Sequence, residues 1–338
     1  MTPQHRKYKK IIIWGAKFDS GHTHAFVHEP LVRAAQYLGY PVYWMDNRDL
    51  SSTAPDFFDH AIIISEQWLV FANGLSNQLP LRTTSAYVIQ YIGNKCAVEG
   101  NPGASMYLGK VGKLIDFRFA CNWGIDGVPD KNYAYRFDKS ECAPINEGTS
   151  FLQQDGPVTL FYSMWATDLM PDEIRFEDRF IPPANPRYAF FGGTIREDNQ
   201  EMFEPFIKAC EDNKLPFVYN TPWQQPLTIP QIRDAVSQSY LALDVRPRNH
   251  LANKYISCRI IKNISYGQLG LTNCPATYEF FEGDVAYHAD PYQLFDVAMK
   301  MKADPGTPDR ILRQMKKIRE KHTYVNRLRD MIAAAELT

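Results

Sequence analysis

The stretch Lys9–Lys10–Ile11–Ile12–Ile13–Trp14–Gly15 decides how the chain is read. Its apolar run is short, continuous and β-branched, which is the signature of a strand buried on both faces. A loop follows through Gly21, and Ala25 to Leu38 then carries apolar residues at helical spacing, at Phe26, Val27, Leu31, Ala34 and Leu38. Pro41 to Met45 predicts the next strand, and Ala61 to Ser65 and Ser85 to Ile92 extend the series. This is the β-loop-α-β opening of a parallel sheet, so the first half reads as Rossmann-like.

The same grammar returns after Pro182–Pro183–Ala184–Asn185–Pro186, which has the composition of a linker or a rigid crossover. Arg187 to Phe191 predicts a strand that ends in Gly192–Gly193–Thr194. Gln200 to Cys210 predicts a helix with Met202, Phe203, Phe206, Ile207 and Cys210 on one stripe. Further strands are expected at Phe217–Tyr219, Tyr240–Val245 and Gly270–Thr272, and helices at Ile229–Ser237, Ser257–Tyr266 and Tyr292–Met301. The expected fold is α/β, with two doubly wound domains, 1–180 and 181–338, facing across a cleft. The charged helical segment Pro308–Leu337 either lies solvated on the surface or crosses back to the first domain.

Composition narrows the function. The chain has 338 residues, 45% of them hydrophobic, enough to bury a core in each of two domains. Thirty-seven Lys and Arg against 38 Asp and Glu leave a formal charge of -1, so no net basic field favours a nucleic acid partner. The basic N-terminus is followed by an apolar run too short for a signal peptide, and no window approaches a membrane span. The six cysteines include no C-x-x-C pair. Reduced thiols and a cytoplasmic location are the expectation.

Chemistry is expected where strands end. The first loop, Gly15 to His24, is not a G-x-G-x-x-G dinucleotide fingerprint, but it leads into His22, His24 and His28. His22 or His24 is a candidate base for an acceptor hydroxyl, with Asp19 to orient it; the alternative is a hydrogen-bonded loop with no catalytic duty. His24 and His28 stand four apart, yet no further ligand at familiar spacing completes a metal site. The second loop offers Gly192, Gly193, Thr194 and Arg196 to a diphosphate, or is a tight turn only. The densest cluster runs from Arg246 to Asn263, where Arg246, Arg248, Lys254, Arg259 and Lys262 surround the end of a strand and the start of a helix. Ser257 is placed as N-cap, and Arg259 and Lys262 share a helical face.

Ser257–Cys258–Arg259–Ile260–Ile261–Lys262–Asn263–Ile264–Ser265–Tyr266–Gly267–Gln268–Leu269–Gly270–Leu271–Thr272 resembles the S-x-R-x-F-E-x-x-A-x-G-x-x-x-x-T stretch of group 1 GT-B glycosyltransferases. The likeness is strongest to the spore-maturation-protein-like branch. Phe190–Phe191–Gly192–Gly193–Thr194, Glu279–Phe281, Asp290–Leu294 and His322–Arg327 are similar to other parts of that branch, so the resemblance covers the second half of the chain. It implies a donor nucleotide held in the C-terminal domain and an acceptor entering from the N-terminal one. The donor-binding residues then expected are Gly192, Gly193, Thr194, Arg196, Arg246, Lys254, Tyr255, Ser257, Arg259, Lys262 and Asn263. One position departs: the family glutamate that holds the donor ribose aligns with Lys262, which has no acceptor to offer those hydroxyls and would instead neutralise phosphate.

The expected activity is transfer of a hexosyl or pentosyl group from a UDP- or GDP-sugar to a hydroxyl of a glycan or other acceptor. The nucleotide sugar is a co-substrate and no cofactor is expected. No D-x-D motif occurs, so no obligatory metal is expected either. Two rivals stand beside this reading: a viral-type glucosyltransferase acting on hydroxymethylated DNA, and a sugar-nucleotide-binding protein that has lost turnover.

Overall fold

The computed structural model describes residues 6–15, 17–18, 24–66, 79–90, 92, 103–119, 137, 139–146, 149–181, 188–195, 199–221 and 227–337. The chain divides into two compact units: Met1–Ala120, Gly124–Ser163 and Tyr324–Thr338 form the first, Cys121–Trp123 and Met164–Thr323 the second. The proline stretch at which the sequence puts a boundary lies outside the described residues. Met164 to Ile181 counts with the second unit.

The first unit holds β1 (Lys10–Trp14), α1 (Ala25–Tyr37), β2 (Val42–Met45), β3 (Ala61–Glu66), β4 (Ala86–Gln90), β5 (Lys113–Phe119), β6 (Ala143–Ile145), β7 (Ser150–Asp155) and β8 (Val158–Ser163). They form one sheet in the order β2-β1-β3-β4-β5-β8-β7-β6. Pairing is parallel as far as β8, and β8, β7 and β6 are antiparallel to one another in turn. Ile11, Ile12 and Ile13 are buried without residual exposure, as their unbroken run predicts. Helix α1 is rotated from its expected face: His28 is buried with Ala25, Leu31, Ala34 and Ala35, while Phe26 and Val27 are half-buried. The cause is a partner for the imidazole, described below.

The C-terminal segment is two helices, not one. Its first part ends at Lys321, and the chain straightens at His322–Thr323, where the Thr167 N–H donates to the His322 carbonyl at 3.0 Å and Thr167 bridges Thr323. The last helix, Tyr324–Glu336, packs in the first unit against α1 and the sheet, burying Tyr324, Val325, Leu328, Met331, Ala334 and Ala335. Its Asp330 is buried and accepts hydrogen bonds from Ser150 Oγ at 2.6 Å, Thr149 Oγ1 at 3.3 Å and Asn146 Nδ2. Burial raises the Asp330 pKa, and burial pushes that of the neighbouring Arg327 down to about 10. Asp330→Ala strands these donors and removes the negative charge beside the buried guanidinium. It is expected to lower unfolding free energy by about 3 kcal/mol in a urea titration, with Asp330→Asn costing less.

The second unit holds β9 (Ala189–Gly192), α2 (Gln200–Asp212), β10 (Phe217–Asn220), α3 (Ile229–Gln238), β11 (Leu241–Ala242), α4 (Arg248–Ala252), α5 (Cys258–Ser265), β12 (Leu271–Thr272), α6 (Pro275–Phe280), β13 (Ala286–Tyr287), α7 (Pro291–Ala303) and α8 (Thr307–Lys321). β10-β9-β11 and β12-β13 are parallel, and a parallel bridge from Asp244 to Thr272 joins them. The resulting order, β10-β9-β11-β12-β13, has the same pattern as β2-β1-β3-β4-β5. Both units are therefore doubly wound around a parallel core. No helix among the described residues is long and apolar enough to cross a membrane.

Candidate functional sites

Each unit has a topological switch point. In the second unit the connection from β9 leads to β10 on one side and that from β11 leads to β12 on the other, so a crevice opens at the carboxyl ends of β9 and β11. Gly192 ends β9, and Asp244, Val245 and Arg246 follow β11. Helix α5 enters here because Ile260, Ile261 and Ile264 bury one face while Ser257, as N-cap, accepts from the Arg259 N–H at 3.2 Å.

The cations converge on a carboxylate that the sequence reading did not single out. Asp244 is fully buried, and its Oδ1 accepts from Arg246 Nε at 2.9 Å, Arg246 Nη2 at 2.5 Å and Ser257 Oγ at 2.7 Å, with Arg259 Nη1 at 3.5 Å. Arg259 Nε donates to the Gly192 carbonyl at 2.7 Å, and its guanidinium lies 4.3 Å over the Phe191 ring. Burial, and next the neighbouring Arg246, push the Arg259 pKa down to about 10. Two guanidiniums thus share one carboxylate in a desolvated crevice. The excess positive charge suits an anion, and Arg259, 23% exposed, is the one that can reach it.

The other expected donor residues divide. Arg246 is buried and also donates from Nη1 to His250 Nδ1 at 3.3 Å, with Tyr255 6.0 Å below its guanidinium, so it braces the site from within. The Gly193 N–H donates to the Asn220 carbonyl at 3.0 Å, and the Thr194 carbonyl accepts from Asn199. Lys262 pairs with buried Asp168 at 3.0 Å, the same carboxylate to which Tyr266 donates. Asn263 is buried, with its Nδ2 3.5 Å from the Leu243 carbonyl. Lys254 is half-buried and holds φ 53, the left-handed cap position behind α4. Arg248 makes an exposed pair with Glu201. Arg196 lies outside the described residues.

Gly193 has a steric reason. A Cβ there would stand 2.9 Å from the Phe191 ring and closer still to Arg259 Nη2. Gly193→Ala is expected to displace the guanidinium and weaken anion binding about tenfold in calorimetry while leaving the circular dichroism spectrum unchanged.

The switch point of the first unit lies between β1 and β3, whose ends are tied by a bond from Ser65 Oγ to the Trp14 carbonyl at 2.9 Å. Glu66, the last residue of β3, is buried and faces the imidazoles of His24, the N-cap residue of α1, and of His28 within it. His24 Nδ1 touches Oε2, and His28 Nε2 lies 3.4 Å from Oε1. Burial alone would raise this carboxyl, but the two imidazoles outweigh it and hold the pKa at about 2. His24 remains 26% exposed. Asp19 and His22 lie outside the described residues, so the observed carboxylate partner of His24 is Glu66. Among the described residues no group of three His, Cys, Asp or Glu is arranged to hold a metal ion.

Solved structures share this architecture. An alpha-glucosyltransferase in complex with UDP-glucose and DNA containing an abasic site aligns with TM-score 0.57 and 10% identity, over 96% of this chain and 99% of that one. The fold is that of the GT-B glycosyltransferases. An alpha-glucosyltransferase in complex with UDP aligns with TM-score 0.55 and 12% identity, over 96% and 99%. Another, with UDP and a 13-mer DNA containing an HMU base, gives 0.56 and 10% over 96% and 100%. No family model matches the sequence, and no curated protein matches it.

Proposed function

We propose that the chain is a glycosyltransferase that takes a sugar from a nucleoside-diphosphate donor, with the donor bound at the second-unit switch point. The observation that carries this reading is the pair Arg246 and Arg259 on the single carboxylate of Asp244, beside the glycine turn at Gly193. Departure of a nucleoside diphosphate develops charge on its phosphates, and fixed guanidiniums stabilise that charge without reorganising. The resemblance of residues 257–272 belongs to the same reading, since its serine and arginine are Ser257 and Arg259. The similar alpha-glucosyltransferases bind UDP or UDP-glucose, which puts UDP ahead of GDP as the nucleotide. In the first unit His24, backed by Glu66, serves as base toward the acceptor hydroxyl. No metal ion is required in this mechanism.

A thermal-shift screen of UDP, GDP, dTDP and CMP with their sugars tests the donor. A nucleotide at a hundred times its dissociation constant stabilises by about 2.7 kcal/mol, so UDP and UDP-glucose are expected to stand out. Absence of any shift counts against the whole reading, and binding without turnover favours a sugar-nucleotide-binding protein.

The acceptor has a second candidate. Two of the similar structures hold DNA, which favours a hydroxymethylated base over a glycan despite this chain's formal charge of -1. Transfer of labelled glucose to hydroxymethylated but not unmodified duplex, with affinity falling steeply in salt, supports DNA. Transfer to neither returns the search to glycans and small hydroxyl compounds.

A further inference from the structure

The inference rests on the nucleotide-sugar reading above and concerns the carboxylate beneath it. Asp244 uses its two oxygens unequally. Oδ1 collects both Arg246 nitrogens, the Ser257 hydroxyl and Arg259 Nη1, while Oδ2, equally buried, has no hydrogen-bond donor among the described residues. An arginine and a carboxylate left to themselves form a two-bond fork. Arg246 has both its bonds on one oxygen, and Arg259 touches that same oxygen with one nitrogen at 3.5 Å, the longest of the four contacts. Arg259 is therefore oriented by Asp244 without being consumed by it.

The remaining contacts of Arg259 fix its plane. Nε is bonded to the Gly192 carbonyl, the face rests on Phe191, and Gly193 leaves room only because it lacks a Cβ. Ser257 links Asp244 to the first turn of α5, since its hydroxyl donates to Oδ1 and accepts from the Arg259 N–H. One carboxylate thereby sets both the side chain of Arg259 and the start of the helix that carries it.

We propose that Asp244 is the positioning residue of the donor site: it holds Arg259 in register for a nucleoside diphosphate while leaving the outer N–H groups of that guanidinium for the phosphates. Asp244 makes no contact with the ligand itself. Its influence runs through Arg259, and this gives it a signature that a purely structural residue lacks.

The test is a double-mutant cycle on the full chain, read by calorimetry with UDP as probe at a temperature where every variant is folded. Asp244→Asn is expected to weaken UDP binding about tenfold, Arg259→Ala more, and the double variant no more than Arg259→Ala alone, because residues acting as one unit are non-additive. Full UDP affinity in D244N overturns the proposal, as does a double variant whose loss is the product of the two single losses. A wild-type chain that binds no nucleotide overturns the nucleotide-sugar reading itself, an outcome distinct from both. If D244N unfolds below the assay temperature, Asp244→Glu replaces it. This keeps the charge, moves it by one methylene, and is expected to weaken UDP binding by about fivefold in the wild-type background and not at all in R259A.

Discussion

Arg259→Ala is expected to abolish the thermal shift given by UDP and to weaken its binding by about a hundredfold or more, because charge-assisted bonds to phosphate contribute roughly 1.5–3 kcal/mol each. The size of the effect follows from how the side chain is held. Arg259 is braced at Gly192, Phe191 and Asp244 before any ligand arrives, so little rotamer entropy remains to be lost on binding. Arg259→Lys is expected to recover little. A lysine ammonium has no plane to lay on Phe191, and it cannot bond the Gly192 carbonyl while presenting further donors outward in a fixed direction. Stability should change modestly in either variant, since Arg246 and Ser257 remain on Asp244. Wild-type UDP affinity in R259A, measured by calorimetry, would move the anion site elsewhere.

The residues that the sequence makes legible are those with periodicity or a motif behind them. The runs Ile11–Trp14 and Phe190–Gly192 announce parallel strands, and Ser257 announces a helix start, because burial and capping leave local patterns. β5 is different. Its Lys113, Asp116 and Arg118 read as polar, yet Asp116 is buried and pairs at 2.8 Å with half-buried Arg118, which no local rule reveals. The antiparallel strands β6 to β8 lie in a stretch that the β-loop-α grammar leaves unread. The last thirty or so residues read as one charged helix because the break at His322 depends on Thr167, a partner distant in sequence.

The same distinction explains the sites. Arg246, Ser257 and Arg259 could be chosen from composition and resemblance, but the group that gathers them could not, since Asp244 lies in a strand-end segment that looks merely apolar. Lys262 has a partner that the sequence hides. It stands on the expected helical face, yet Asp168 occupies its ammonium, a pairing across 94 positions of sequence that spacing cannot anticipate. Glu66 was one residue beyond a strand expected to end at Ser65, and a carboxylate at the carboxyl end of a buried strand, with histidines opening the preceding helix, is the signal that would have found it.

Glu66→Gln is expected to reduce transfer by about a hundredfold or more, the range typical of losing general base assistance. In the proposed mechanism the carboxylate fixes the Nδ1 edge of His24 and turns Nε2 toward the acceptor hydroxyl. A carboxamide keeps the shape but not the charge that stabilises the imidazolium formed in the step. UDP binding, which the proposed reading puts in the second unit, should be unchanged, so the loss should appear in kcat. Stability supplies an independent reading. Glu66 is held at about 2 against an ordinary 4.5. This depressed carboxyl contributes about 3 kcal/mol that is fully present above pH ~4.5 and is lost as pH falls toward 2. Wild-type stability should therefore decline through that window, and the E66Q curve should lack this component. His24→Ala should lose as much transfer as E66Q while keeping more of the acid dependence, because His28 still faces the carboxylate at 3.4 Å. Full transfer in both variants, with the anomeric configuration of the donor retained in the product, would remove His24 from the base role and leave Glu66 as the group that locks α1 onto β3.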